Sequence, residues 1–148
     1  MQKKNVLLVL IGSLMLVFFI TLPGYCEPVD TTFEQLKLEL KSKNVSDEFI
    51  KNTENSVKRM ISSGALLVDI KSVLLDLWGE GRMGMALKNA VASVAELVES
   101  GDNTLEAAKI TSGAAHKAES EGLSGFGVGM RVKKAVQERK AYLKTLKN

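Results

Sequence analysis

One histidine, His116, and one cysteine, Cys26, are the only imidazole and the only thiol in 148 residues. A site that needs two histidines, two cysteines or more than one of each from one chain is therefore excluded. That removes zinc fingers, iron–sulfur clusters and bis-histidine haem, along with any intramolecular disulfide. His116 follows Ser112 by four residues and precedes Glu119 by three, so a Ser/His/acid grouping can be drawn on one helical face. A single helix lacks the strand or loop geometry that aims a nucleophile at an oxyanion hole, and His116 reads as a surface or half-buried histidine. Asp69 with Asp76, or Glu96 with Glu99, would serve a hydrolase only if a groove held the two carboxyls about 5 to 9 Å apart. Asp76 falls in an apolar stretch, where partial burial would raise its pKa. The preferred reading for all four is a solvated edge.

Three glycine motifs invite a ligand. Gly79-Glu80-Gly81-Arg82-Met83-Gly84 has the spacing of a dinucleotide loop, in which backbone amides and a helix N-terminus receive a pyrophosphate. The run before it continues a helical stripe from Leu67, and no segment offers a parallel strand, so the βαβ context is missing. Gly125, Gly127 and Gly129 alternate with Phe126 and Val128. The stretch from Gly122 to Gly129 reads as a mobile connection, because glycine loses the most conformational freedom on ordering. Gly101-Asp102-Asn103 resembles the start of a calcium loop, but Ala107 stands where such a loop needs glycine, and helix capping explains it better. No cofactor or metal is implied.

The clearest electrostatic feature is the C-terminal segment. Residues 131–148 hold seven basic side chains against Glu138 alone, a net charge of +6, whereas residues 27–130 sum to −5. Arg131, Lys133, Lys134, Lys140, Lys144 and Lys147 are the candidate contacts to an anionic surface. Residues 27–148 together carry only +1, which gives little support to nucleic-acid binding.

The elements that must position these residues are helices. No proline follows Pro28, and glycine takes over the punctuation. Thr31 with Glu34 reads as a capping box opening a helix through Phe33, Leu36 and Leu40 that ends near Asn44. Ser46 caps a second helix with Phe49, Thr53, Val57, Met60 and Ile61 inside, and Val45 with Ile50 as a hydrophobic staple. Leu67 to Trp78 is apolar on most sides and is expected to be central. A fourth helix turns Leu87, Ala90, Val91, Val94, Leu97 and Val98 inward. Asn103 with Glu106 opens a fifth, whose small-residue stripe is Leu105, Ala108, Ser112 and Ala115, with Ile110 and Ala114 beside it. The basic segment 131–148 forms the last, with Val132, Ala135, Val136, Tyr142, Leu143 and Leu146 as its apolar side. Gly64, Gly81, Gly101 and Gly122, spaced 17, 20 and 21 residues apart, suggest a helix-turn-helix repeat, although C′ glycines alone would produce the same spacing. The expected fold is all-α: one small domain of five or six short amphipathic helices, an orthogonal bundle or a short helical array.

Ahead of that domain, Lys3 and Lys4 precede an uncharged apolar run from Val6 to Leu22 that ends at Pro23 and Gly24. This is the form of a secretory signal peptide over residues 1–26, with cleavage after Cys26 and a mature start at Glu27. A lipoprotein anchored at Cys26 would want a small residue at Tyr25, and an uncleaved anchor would have only 17 apolar residues, the lower limit for a span. The expectation is an exported protein of the bacterial periplasm that acts by binding an envelope partner protein or an anionic surface. Its alternatives are a periplasmic hydrolase using a carboxylate pair, and a small apolar-ligand carrier with Trp78, Met60, Met83 and Met85 lining a cavity.

Overall fold

Six helices fill almost all of residues 28–81 and 84–147, the residues that the computed structural model describes. They are α1 (Val29–Ser42), α2 (Asp47–Ser62), α3 (Leu67–Gly79), α4 (Gly84–Glu99), α5 (Thr104–Ser120) and α6 (Gly125–Leu146). No strand occurs among the described residues, and one core gathers side chains from every helix, as the all-α reading expects. The leader 1–26 with its cleavage after Cys26, and Met83, lie outside the described residues.

Each helix packs on the one two places further along: α1 on α3, α2 on α4, α3 on α5 and α4 on α6. An odd layer and an even layer result, joined by contacts of α1 with α2, α2 with α3, α4 with α5 and α5 with α6. The core lies between the layers. Phe49, Val57 and Met60 of α2 are buried with Ile70, Val73, Leu74 and Leu77 of α3 and Leu87, Val91, Val94 and Leu97 of α4. The Trp78 ring meets Phe49 edge-on, with centroids 5.2 Å apart at 83°, the arrangement that the ring quadrupoles favour.

Every connection between consecutive helices is four residues long, and its second residue has positive φ: Asn44 at 61°, Gly64 at 81°, Gly81 at 69°, Gly101 at 97° and Gly122 at 74°. Where the next residue is described, its amide reaches back to the carbonyl five positions earlier. Val45 bonds Leu40 at 3.2 Å, Ala65 bonds Met60 at 3.1 Å, Asp102 bonds Leu97 at 3.0 Å and Leu123 bonds Ala118 at 3.0 Å. These are Schellman closures, in which a left-handed residue lets the chain satisfy the last carbonyls of a helix. The glycine spacing therefore marks a recurring turn, and Asn44, the residue type that best tolerates φ > 0 after glycine, is its fifth member.

Three elements differ from the sequence reading. α1 opens at Val29 with Pro28 as N-cap, so Thr31 and Glu34 are interior and Glu34 pairs with Lys37 at 3.2 Å. Proline has no amide to leave unpaired there, and its carbonyl accepts the amide of Thr32 at 3.1 Å. In α5 the buried stripe is Thr104, Ala107, Thr111, Ala115 and Ala118, which up to Thr111 runs one position off the expected one, and Leu105 is 39% exposed. Thr111 tolerates burial because its hydroxyl donates to the Ala107 and Ala108 carbonyls, each at 3.0 Å, leaving its methyl to pack. The Gly122–Gly129 stretch is not a loose connection: from Gly125 it is already helix, so α6 has 22 residues and its basic part is the last sixteen.

Candidate functional site

α6 is fastened to the body by the charges that make the tail basic. Arg139 donates through Nε and Nη2 to the two Asp102 carboxylate oxygens, both at 2.7 Å, and the Asp102 side chain is only 3% exposed. This carboxylate raises the Arg139 pKa further above its ordinary value, chiefly by accepting those hydrogen bonds. Lys140 pairs with Glu96 at 2.6 Å and Arg131 with Glu121 at 2.9 Å. The Lys147 ammonium donates to the Ser100 carbonyl at 3.1 Å, at the C-terminal end of α4 where the helix dipole favours a cation. Val136 and Leu143 are buried beneath these pairs. The basic helix is thus a docked part of the domain, and Tyr142 and Leu146, expected inside, are exposed.

Of the six candidate contacts to an anionic surface, Arg131, Lys140 and Lys147 are turned to the body by the bonds just described. Lys134 reaches only Glu138, at 3.7 Å and with both side chains mostly exposed, where an ion pair contributes little. Lys133 and Lys144 are exposed and make no ion pair among the described residues. Lys133, Lys134 and Lys144 therefore form the cationic set that α6 presents outward.

Between α4 and α6, with α5 as floor, runs a groove of about 540 Å³. Its walls are small side chains: Ala86, Ala90 and Ser93 from α4, Ser112 and Ala115 from α5, and Gly125, Gly129 and Val132 from α6. A Cβ built on Gly125 or Gly129 would meet no atom within 4 Å. Both signs of charge stand at its rim in Arg59, Glu96, Glu119 and Lys133, and Arg59 is held by Glu99 through an Nε to Oε1 bond of 2.8 Å. That guanidinium keeps the Glu99 pKa below the usual carboxylate range. The groove opens beside Phe126 and Met130, which are 81% and 54% exposed. Sequence reasoning missed this site because it placed Gly125–Gly129 in a connection rather than on a helix wall.

The chemical constellations do not assemble. Glu96 and Glu99 are each held by a cation, Lys140 and Arg59. Asp76 is exposed rather than partly buried, and it stands about 10 Å along α3 from Asp69 at 1.5 Å per residue. It lies instead in a shallow cleft with Glu80 and Lys109. His116 is exposed between carboxylates, 3.7 Å from Glu80 and 3.5 Å from Glu119, on the same helix as Ser112. The supposed apolar-ligand cavity is dispersed: Met60 is fully buried in the core, Trp78 packs on Phe49 and Met85 is 70% exposed. Gly79 closes a helix, so no strand leads into the glycine loop. Among the described residues no group of three or more His, Cys, Asp or Glu is arranged to hold a metal, and no helix is long and apolar enough to cross a membrane.

Comparison of the chain with protein-family models, with curated proteins and with solved structures finds no match.

Proposed function

We propose that this chain is an exported helical protein of the bacterial envelope that works by binding, and that the groove between α4 and α6 receives apolar side chains of a partner protein. The observation that carries the reading is Gly129. Inside a helix glycine costs ~0.5–1 kcal/mol relative to alanine, and here no neighbour occupies the space that a Cβ would need. The helix gives up that stability and the groove stays open. Small walls admit the side chains of an approaching helix or strand, and exposed Phe126 and Met130 extend the apolar surface beyond the groove mouth. A rim with both signs of charge, mostly paired within the chain, favours a neutral apolar segment over a small anion. The signal-peptide form of residues 1–26 supports export.

The test uses the chain beginning at Glu27 as bait on a detergent extract of its own envelope, beside Gly129→Leu, which fills the groove, and Lys51→Leu, which adds the same side chain at an exposed position of α2. The expected result is one envelope protein retained by the parent chain and by Lys51→Leu and lost with Gly129→Leu. The same proteins retained by all three would refute a groove role.

A further inference from the structure

The outward side of α6 is a surface of different character from the groove. At 100° per residue, Phe126, Met130, Lys133, Lys134 and Lys144 fall within one sector about 100° wide. All five are exposed, and the other positions of that sector, Gln137 and Ala141, are neutral and exposed. No carboxylate lies within the sector; Glu138 stands at its edge. A phenylalanine 81% exposed on a helix of a folded domain is a large apolar area left in water, and Met130 one turn later extends it. Of the other cations of the segment, Arg139, Lys140 and Arg131 are held by Asp102, Glu96 and Glu121 and Lys147 by the Ser100 carbonyl, so the three outward lysines are the ones that the fold leaves unengaged or nearly so.

We infer that this face of α6 rests on an anionic phospholipid bilayer, with Phe126 and Met130 entering the acyl boundary and Lys133, Lys134 and Lys144 at the phosphate plane. Charge complementarity selects an anionic occupant, and the apolar pair selects one with depth beneath its charge. A bilayer supplies both in one plane, whereas a polysaccharide or an acidic polymer supplies charge alone. Phe126 and Lys144 are about 27 Å apart along the axis at 1.5 Å per residue, so the helix lies along the surface rather than entering end-on. Phe126 and Met130 also flank the groove mouth and Lys133 and Gln137 line it, so the two surfaces adjoin along α6, and Gly129→Leu, which alters only the groove, separates this inference from the partner protein.

Among the described residues every buried apolar side chain lies between Phe33 and Leu143, so a chain beginning at Glu27 keeps that core and lacks the apolar leader that would bind lipid by itself. Its sedimentation with phosphatidylcholine vesicles, with and without phosphatidylglycerol, provides the test. The expected result is binding only to vesicles that contain phosphatidylglycerol, weakened when salt rises from about 0.1 M to about 1 M as the Debye length falls from about 10 Å to about 3 Å. Phe126→Asp lowers the affinity about thirtyfold. Lysine-to-glutamine changes at 133, 134 and 144 together lower it roughly a hundredfold, at about fivefold each. Melting temperatures of these variants stay at the parent value because the side chains are exposed, and Phe126→Trp shows a blue-shifted emission with anionic vesicles. Equal binding to both vesicle types overturns the inference, as does binding indifferent to Phe126→Asp. Binding to dextran sulfate as tight as to anionic vesicles, and equally tight in Phe126→Asp, would show a charge-only surface and overturn it too. Gly129→Leu leaves vesicle binding intact, which separates failure here from failure of the groove.

Discussion

Ending the chain at Met130 removes the last sixteen residues of α6, and with them two fully packed apolar side chains. Val136 is 2% exposed and Leu143 7%, and each contributes ~1.5–3 kcal/mol by leaving water, or ~3–6 kcal/mol together. The cut also strands the Asp102 carboxylate, 3% exposed, without the Arg139 guanidinium that holds both its oxygens. A domain of this size is stable by only ~5–15 kcal/mol, so the loss takes a large share of the total. Urea unfolding followed by far-ultraviolet circular dichroism reads it directly. With a slope of ~1–3 kcal/mol per M, the midpoint should fall by about 1 M or more, or the cooperative transition should disappear. A truncated chain with the parent midpoint would refute the docking of α6 and return its stripe to solvent.

Glycines in turns and in the α6 wall should respond with opposite signs. Gly122→Ala, at φ 74°, destabilises by ~1 kcal/mol, whereas Gly129→Ala, inside a helix with open space at its Cβ, stabilises by ~0.5–1 kcal/mol; denaturant midpoints of the two variants decide this. The Arg59–Glu99 pair sets a pH dependence. Because the folded Glu99 pKa is lowered, its contribution is full above the ordinary glutamate range and fades as pH falls through the lowered value. Thermal melts should therefore place Glu99→Gln below the parent at neutral pH and level with it in strong acid; a difference that persists in acid would contradict the pair's role. Addition of NAD or ATP should leave the melting temperature unchanged, since Gly79–Gly84 joins two helices; a concentration-dependent rise would contradict that reading.

The fold was legible in the sequence where apolar spacing and turn chemistry agreed. Ser46 does cap α2, its Oγ accepting the Phe49 amide at 3.2 Å, with Val45 and Ile50 both buried beside it. Asn103 caps α5 through the amides of Leu105 and Glu106, although Glu106 turns to Lys109 instead of closing a box. The inner faces of α2, α3 and α4 follow the stripes closely because large aliphatic side chains dominate them. α5 slipped by one position, since alanines and threonines carry too little hydrophobic contrast to fix a phase. The groove was illegible for a related reason. Three glycines in five residues look like a break by propensity, and only the docking of Val132, Val136 and Arg139 onto the body holds that stretch helical. Which cations face outward likewise depended on where Asp102, Glu96 and Glu121 stand, and pairs 37 and 44 residues apart in sequence leave no local trace.

The central claim, that the α4–α6 groove is where the protein does its work, is tested most directly by a photo-crosslinking side chain placed at Ser93 on the groove wall in living cells, beside one at exposed Lys51. The account predicts a crosslink from position 93 to one envelope protein, absent from position 51 and abolished when Gly129→Leu is added. A crosslink of equal strength from both positions, or one that survives Gly129→Leu, would contradict it.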